Sequence, residues 1–198
     1  MKNILIFLMF NSSFLAFAQK NKIATMEPIY ANGYYVSLKG DTIRGKIQVN
    51  PPAADDFYKH FYFKDVRAKK PKLFAPQRVL AYGFDNKDFV MVNLDRKKVF
   101  VERLATGRLR FYELKYSEKA DLTASLESVY YIKDTQAEKD ELKQLNKLST
   151  KYYKKNLKPF MKDQPAIWDD LDKFNFNEQN IISAVNEFNA YYNTGDNN

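Results

Sequence analysis

The stretch Gly40-Asp41-Thr42-Ile43-Arg44-Gly45 sets an acid, a hydroxyl and an arginine between two glycines. Two kinds of chemistry use such a stretch. A phosphate loop needs several glycines opening into a helix whose N-terminus faces the anion, but Ile43 to Val49 alternates apolar and polar residues as a strand does. An aspartic-protease-type loop needs glycine directly after Asp-Thr and a second copy, so that two carboxylates share a proton. Here Ile43 occupies the glycine position and the motif occurs once. The stretch is therefore read as a chain reversal, with Gly40 supplying positive φ and Asp41 bonding its own backbone.

Other reactive groups are sparse. Histidine occurs once, as His60 at a strand start, and cysteine not at all, so neither a nucleophile–base pair nor a protein-built zinc or copper site is expected. No Gly-x-Ser-x-Gly elbow presents a serine. No cofactor is implied. Asp169, Asp170 and Asp172 beside Trp168 resemble acids next to a sugar-stacking platform. Adjacent residues on a helix point apart, however, which favours solvated acids beside a core tryptophan. A calcium loop fails there because Phe174 takes a ligand position and no glycine makes the turn.

Cations are the more informative polar signal. Lys64, Arg67, Lys69, Lys70 and Lys72 surround the single acid Asp65, and Arg96, Lys97, Lys98, Arg103, Arg108 and Arg110 surround only Glu102. Arg108 and Arg110 alternate with Leu109 and Phe111 and are expected on one solvent face. A basic sheet with aromatics suggests nucleic acid, which export argues against. The remaining anions are lipid head groups, lipopolysaccharide phosphates, acidic glycans and acidic proteins. The simpler reading is that these charges keep the sheet soluble and its edges unpaired.

Export is read from residues 1–18: Lys2, the apolar run Ile4 to Phe10, and the small-x-small site Ala16-Phe17-Ala18. Asn11, Ser12 and Ser13 stop the run well short of the roughly 20 residues that span a membrane. With 16 Phe and 14 Tyr, the rest of the chain has ample material for a core without disulfides. Charge is uneven, a net +9 over residues 19–133 and −2 over 134–198. The hydrophobic period changes at the same boundary.

Before that boundary the period is two. Tyr34, Val36 and Leu38 oppose Tyr35, Ser37 and Lys39, and Ile43, Ile47 and Val49 continue beyond the reversal, with Gly45 marking a bulge or a close backbone approach. Further strands are expected over 61–65, 79–84, 89–94, 99–104, 109–114 and 126–132. Asp85-Asn86-Lys87-Asp88 and Ala105-Thr106-Gly107-Arg108 are read as loops. Seven or eight short strands make an antiparallel meander, a sandwich or small open barrel. Residues 134–193 read as helical: Leu142, Leu145 and Leu148 at helical spacing, then an Asp163 cap with Pro165, then an Asn177 cap before Ile181, Ile182, Val185, Phe188 and Tyr192. Residues 194–198 are a polar tail. The expected class is α+β, one domain with the helical segment packed on the sheet.

Gly33-Tyr34-Tyr35-Val36, the hairpin through Ile47, Val79-Leu80-Ala81-Tyr82-Gly83-Phe84 and Ile181 to Tyr192 resemble a group of exported proteins of unknown function from Bacteroidetes-type Gram-negative bacteria. The resemblance implies a periplasmic or cell-envelope location, or secretion, and brings no catalytic residue. The expected function is that of a non-enzymatic envelope protein whose basic β-face meets an anionic component or another envelope protein. The alternative is a carbohydrate-active hydrolase with acids assembled by the fold. An outer-membrane barrel is disfavoured by the helical C-terminus and by arginine on outward strand positions.

Overall fold

Alternation in the first two thirds of the chain becomes a single antiparallel sheet. The computed structural model describes residues 27–117, 125–138, 141–145, 156–167, 169 and 177–195. Its strands are β1 (Tyr30–Ser37), β2 (Thr42–Gln48), β3 (Phe61–Lys64), β4 (Lys72–Phe74), β5 (Val79–Phe84), β6 (Lys87–Leu94), β7 (Lys97–Ala105), β8 (Leu109–Tyr116), β9 (Glu127–Asp134) and β10 (Lys143–Leu145). They lie in the order β10-β9-β8-β7-β6-β5-β1-β2-β3-β4, two meanders joined by the β1–β5 ladder. A one-turn helix α1 (Asp56–Lys59) and a long helix α2 (Glu178–Gly195) pack on it. The expected meander with a helical C-terminus is present, as one open sheet.

That sheet is strongly rolled. In a flat sheet β4 and β5 would stand four strand spacings apart, about 19 Å. Residues 75–78 alone connect them, and these close a turn, Arg78 N–H to Ala75 O at 3.0 Å, which leaves a reach of about 15 Å. The β3–β4 end must therefore curl over β5–β7. Phe61 of β3 stacks on Tyr82 of β5 at 4.0 Å between centroids and meets Phe100 of β7 at 5.9 Å. Tyr82 continues the stack onto Phe89 at 4.7 Å, and Ile47, Phe63, Val79 and Phe84 fill the rest of this core. Helix α1 closes one side, with Phe57 against Phe84 and Phe89, and the Tyr82 hydroxyl donating to Phe57 O.

Gly40-Asp41 is a turn. Asp41 is exposed, Gly40 has φ +93°, and Ser37 N–H donates to Asp41 O at 2.8 Å. Gly45 sits in an unbulged part of β2, where a Cβ would run into the Phe63 ring. Close approach is its reason.

Three expectations need correction. Among the described residues the strands number ten, because the three-residue β4 and β10 are too short to show a period. Lys87 and Asp88 belong to β6, leaving a two-residue turn at Asp85-Asn86 that Asp85 accommodates with φ +50°. Residues 143–145 form β10 rather than a helix, paired with Tyr130–Ile132. A spacing of three puts Leu142 and Leu145 on opposite sides of an extended chain, and they pack into different clusters. Just before β3 the chain also forms helix α1, an element not expected from the sequence. Trp168, Asp170, Asp172 and Leu148 lie outside the described residues.

Helix α2 begins as its sequence indicates, with Asn177 Oδ1 accepting from Asn180 N–H at 2.8 Å. Its apolar face, Ile181, Val185 and Phe188, is buried against Leu109, Phe111 and Ile132. One buried polar residue locks the position. Asn189 Oδ1 accepts from Leu109 N–H at 2.8 Å, while its Nδ2 donates to Leu109 O at 2.8 Å and Thr106 O at 3.1 Å. Gly107, with φ +142°, lies so close to Asn189 that a Cβ would overlap it. Asn189→Ala removes these bonds and strands buried backbone groups, so urea unfolding should show a loss of about 3 kcal/mol.

Candidate functional site

Charged residues gather in two places. The first is on the inner face between the two main cores. Glu102 of β7 stands directly opposite Glu113 of β8, and both are buried, Glu113 at 1% exposure. Lys87 Nζ lies 3.1 Å from both Glu102 oxygens, and the Tyr58 hydroxyl donates to the same carboxylate at 3.2 Å. Glu113 is held by Lys115 at 3.0 Å and Ser128 at 2.7 Å. Tyr130 donates to Glu178 at 2.7 Å at the start of α2. Burial, reinforced by these carboxylates, pushes the Tyr58 and Tyr130 phenols far up. Burial would lower Lys115, but Glu113 outweighs it and raises the ammonium. Each carboxylate is answered by a cation and a hydroxyl from the chain itself, so the pair serves the fold.

Glu102 and Glu113 are the acids that folding brings together. The first stood among the cations in the sequence and the second drew no notice there. The signal was an acid two residues after an inward phenylalanine in Phe100-Val101-Glu102 and Phe111-Tyr112-Glu113. Asp169, by contrast, is exposed. Among the described residues no group of three or more metal-ligating side chains converges, and His60 makes an edge-to-face contact with Tyr62 at 5.8 Å.

The second place is the outer face of β5–β1–β2–β3. Register aligns Asp88, Gly83, Tyr34 and Arg44 in one row across four strands, and Arg103 of β7 reaches Asp88 at its end. The row is possible because Gly83 has no side chain: the Tyr34 ring lies over it, and its hydroxyl donates to Asp88 at 3.0 Å. Arg103 Nε donates to Asp88 at 2.7 Å from the other side. Asp88 is thereby neutralised, and Arg44 ends the row with no carboxylate partner among the described residues. In the next row Lys46 stands directly opposite Lys64. Lys64 rests over the Tyr30 ring at 5.9 Å, and neither lysine has an ion-pair partner among the described residues. Tyr34, Arg44, Lys46, Gly83, Val66 and Asp85 help line a groove of about 570 Å³, in which Asp85 is the one acid. A second groove of about 420 Å³, near Glu141 and Lys143, carries both signs.

The sequence-selected cations divide accordingly. Lys64 stands opposite the groove residue Lys46, and Arg67, Lys69 and Lys70 are exposed in the loop that carries Val66. Lys72 is exposed on edge strand β4. Arg96, Lys97 and Lys98 occupy the β6–β7 tip, where Asp95 and Arg96 both take positive φ, as a two-residue hairpin turn requires. Arg103 is bound to Asp88. The expectation that Arg108 and Arg110 share a solvent face fails. Arg108 lies in the turn before β8 and reaches under α2, 3.3 Å from Asp134 and 4.2 Å from the Tyr192 ring centre. Arg110 is half-buried in β8, with its Nε shielded and unpartnered among the described residues. Arg44 and Lys46 were visible as outward residues of the first hairpin, but Tyr34, grouped in the sequence with Val36 and Leu38 on the apolar side, faces away from the core while Tyr35 packs into it, and nothing in the sequence placed them beside Lys64.

Burial first, then the Asp88 charge and hydrogen bond, raise the Tyr34 phenol from 10.0 to about 12, against a smaller lowering by Arg103. The folded value lies above the unfolded one, so the neutral phenol stabilises the fold below pH 10 and that contribution disappears as pH rises toward 12. Tyr34→Phe should flatten the fall in unfolding free energy over this window relative to the parent chain, as measured by urea titration at each pH.

No protein-family model, no curated protein and no solved structure matches this chain.

Proposed function

We propose that this chain is an exported cell-envelope protein that binds an anionic ligand in the groove on the outer face of β5–β1–β2–β3 and performs no chemistry itself. The observation that carries the reading is Lys46 directly opposite Lys64, with Arg44 on the same face and none of the three ion-paired among the described residues. Like charges opposite one another across a ladder destabilise it; the opposed carboxylates Glu102 and Glu113 are each answered by a lysine, and Asp88 is answered by Arg103. An uncompensated trio beside an open groove is what an incoming anion would neutralise. Arg44 offers a fork for a bidentate phosphate or carboxylate, and the two lysines supply point charges. The N-terminal leader read from the sequence supports an extracytoplasmic setting for this encounter.

Retention on a heparin column is a direct check. Arg44→Glu with Lys46→Glu and Lys64→Glu should abolish salt-sensitive retention, while reversing Arg96, Lys97 and Lys98 leaves most of it. The opposite ranking would refute the reading. Lys46→Glu alone places opposite charges across β2–β3. It should raise stability by about 0.5 kcal/mol while weakening retention, a divergence expected of residues kept for binding.

A further inference from the structure

Beside the groove, Val66 is 86% exposed, the highest exposure among the large hydrophobic residues described. It belongs to the loop between β3 and β4, which leaves the sheet directly after Lys64 and carries Arg67, Lys69 and Lys70, all exposed, against the single acid Asp65. The Asp65 carboxylate accepts from Arg67 N–H at 2.9 Å and shapes the turn. On the adjoining edge strand Leu73 is also exposed. A protruding apolar side chain within a collar of cations suits neither water nor a dry protein interface, where lysine is depleted. It suits the surface of an anionic bilayer, where the apolar residue enters the headgroup layer and the cations stay among the phosphates. Val66 also lines the groove that holds Arg44 and Lys46, so a headgroup phosphate could reach the groove cations while Val66 enters the layer beside it.

We infer that the β3–β4 loop docks this protein on an anionic membrane surface, and that the groove ligand is the phosphate headgroup of a lipid in that surface. The inference rests on the anion-binding reading above and names its ligand. Sodium ions would be displaced from the surface by Arg67, Lys69 and Lys70, making the association salt-sensitive. Depth would come from Val66, making it sensitive to a residue that carries no charge.

The test is sedimentation of the purified protein with vesicles of phosphatidylglycerol and phosphatidylethanolamine, beside vesicles of phosphatidylcholine alone. Binding is expected to the first only. Val66→Asp should lower the partition coefficient about tenfold, combining a lost apolar contact with a charge repelled by the surface. Val66→Trp should bind more tightly, with its added emission shifting to the blue on vesicle addition, a gain that a misfolded variant would not show. Anionic-vesicle binding indifferent to both Val66 changes would overturn the inference. So would heparin retention without vesicle binding, which would point to an acidic glycan or protein and leave the anion-binding reading intact. Loss of both in the parent chain would end both readings.

Discussion

A four-residue connection governs this molecule. The link from β4 to β5 is too short to cross a flat sheet, so the sheet rolls until Phe61 lies on Tyr82. Once rolled, the inward positions of β2, β3, β5, β6 and β7 enclose one aromatic stack, and the remaining inward positions of β7 to β9 are left for α2 to cover. Sequence alternation decides which residues turn inward, but the link decides that inward means the inside of a curl. Stacked and edge-to-face rings suit that interior, since flat side chains fill a narrow curved space with few rotamers to immobilise.

Charge is treated differently on the two sides of the curl. Inside, low dielectric makes an unanswered carboxylate expensive, and Glu102 and Glu113 each receive both a lysine and a hydroxyl. Outside, water tolerates repulsion, and Arg44, Lys46 and Lys64 stand together uncompensated. The proposed anion-binding reading rests on that contrast. Where the fold required neutrality the chain supplies it from its own side chains, and where binding would benefit from residual charge the chain withholds the partner.

Local features were legible in the sequence. Gly40-Asp41 announced its turn, because the geometry belongs to residues within four positions of one another. Asn177 announced the start of α2 for the same reason. Features that need a partner from elsewhere were not. Lys87 and Asp88 look like loop residues until Glu102 and Arg103 appear across the ladder. Arg108 looks solvated until Tyr192 arrives from 84 positions later. Leu142 and Leu145 fit a helix as well as a strand, since three positions apart is one helical face or two faces of an extended chain. The candidate groove falls in this second class. Its residues come from β1, β2, β5 and the loop after β3, and only the register reveals that Lys46 and Lys64 are neighbours.

The β1–β5 ladder has a kinetic meaning as well as an architectural one. Among the described residues every other ladder joins strands that follow one another in the chain, whereas this one pairs Gly33 with Phe84, roughly fifty residues on. Short-range hairpins close at little loop entropy and long-range pairing closes late. The two meanders should therefore assemble separately and join at this seam last. Until they do, the flanks of β1 and β5 offer free backbone groups to any other extended chain, a window of vulnerability to self-association that ends when Tyr34 swings over Gly83.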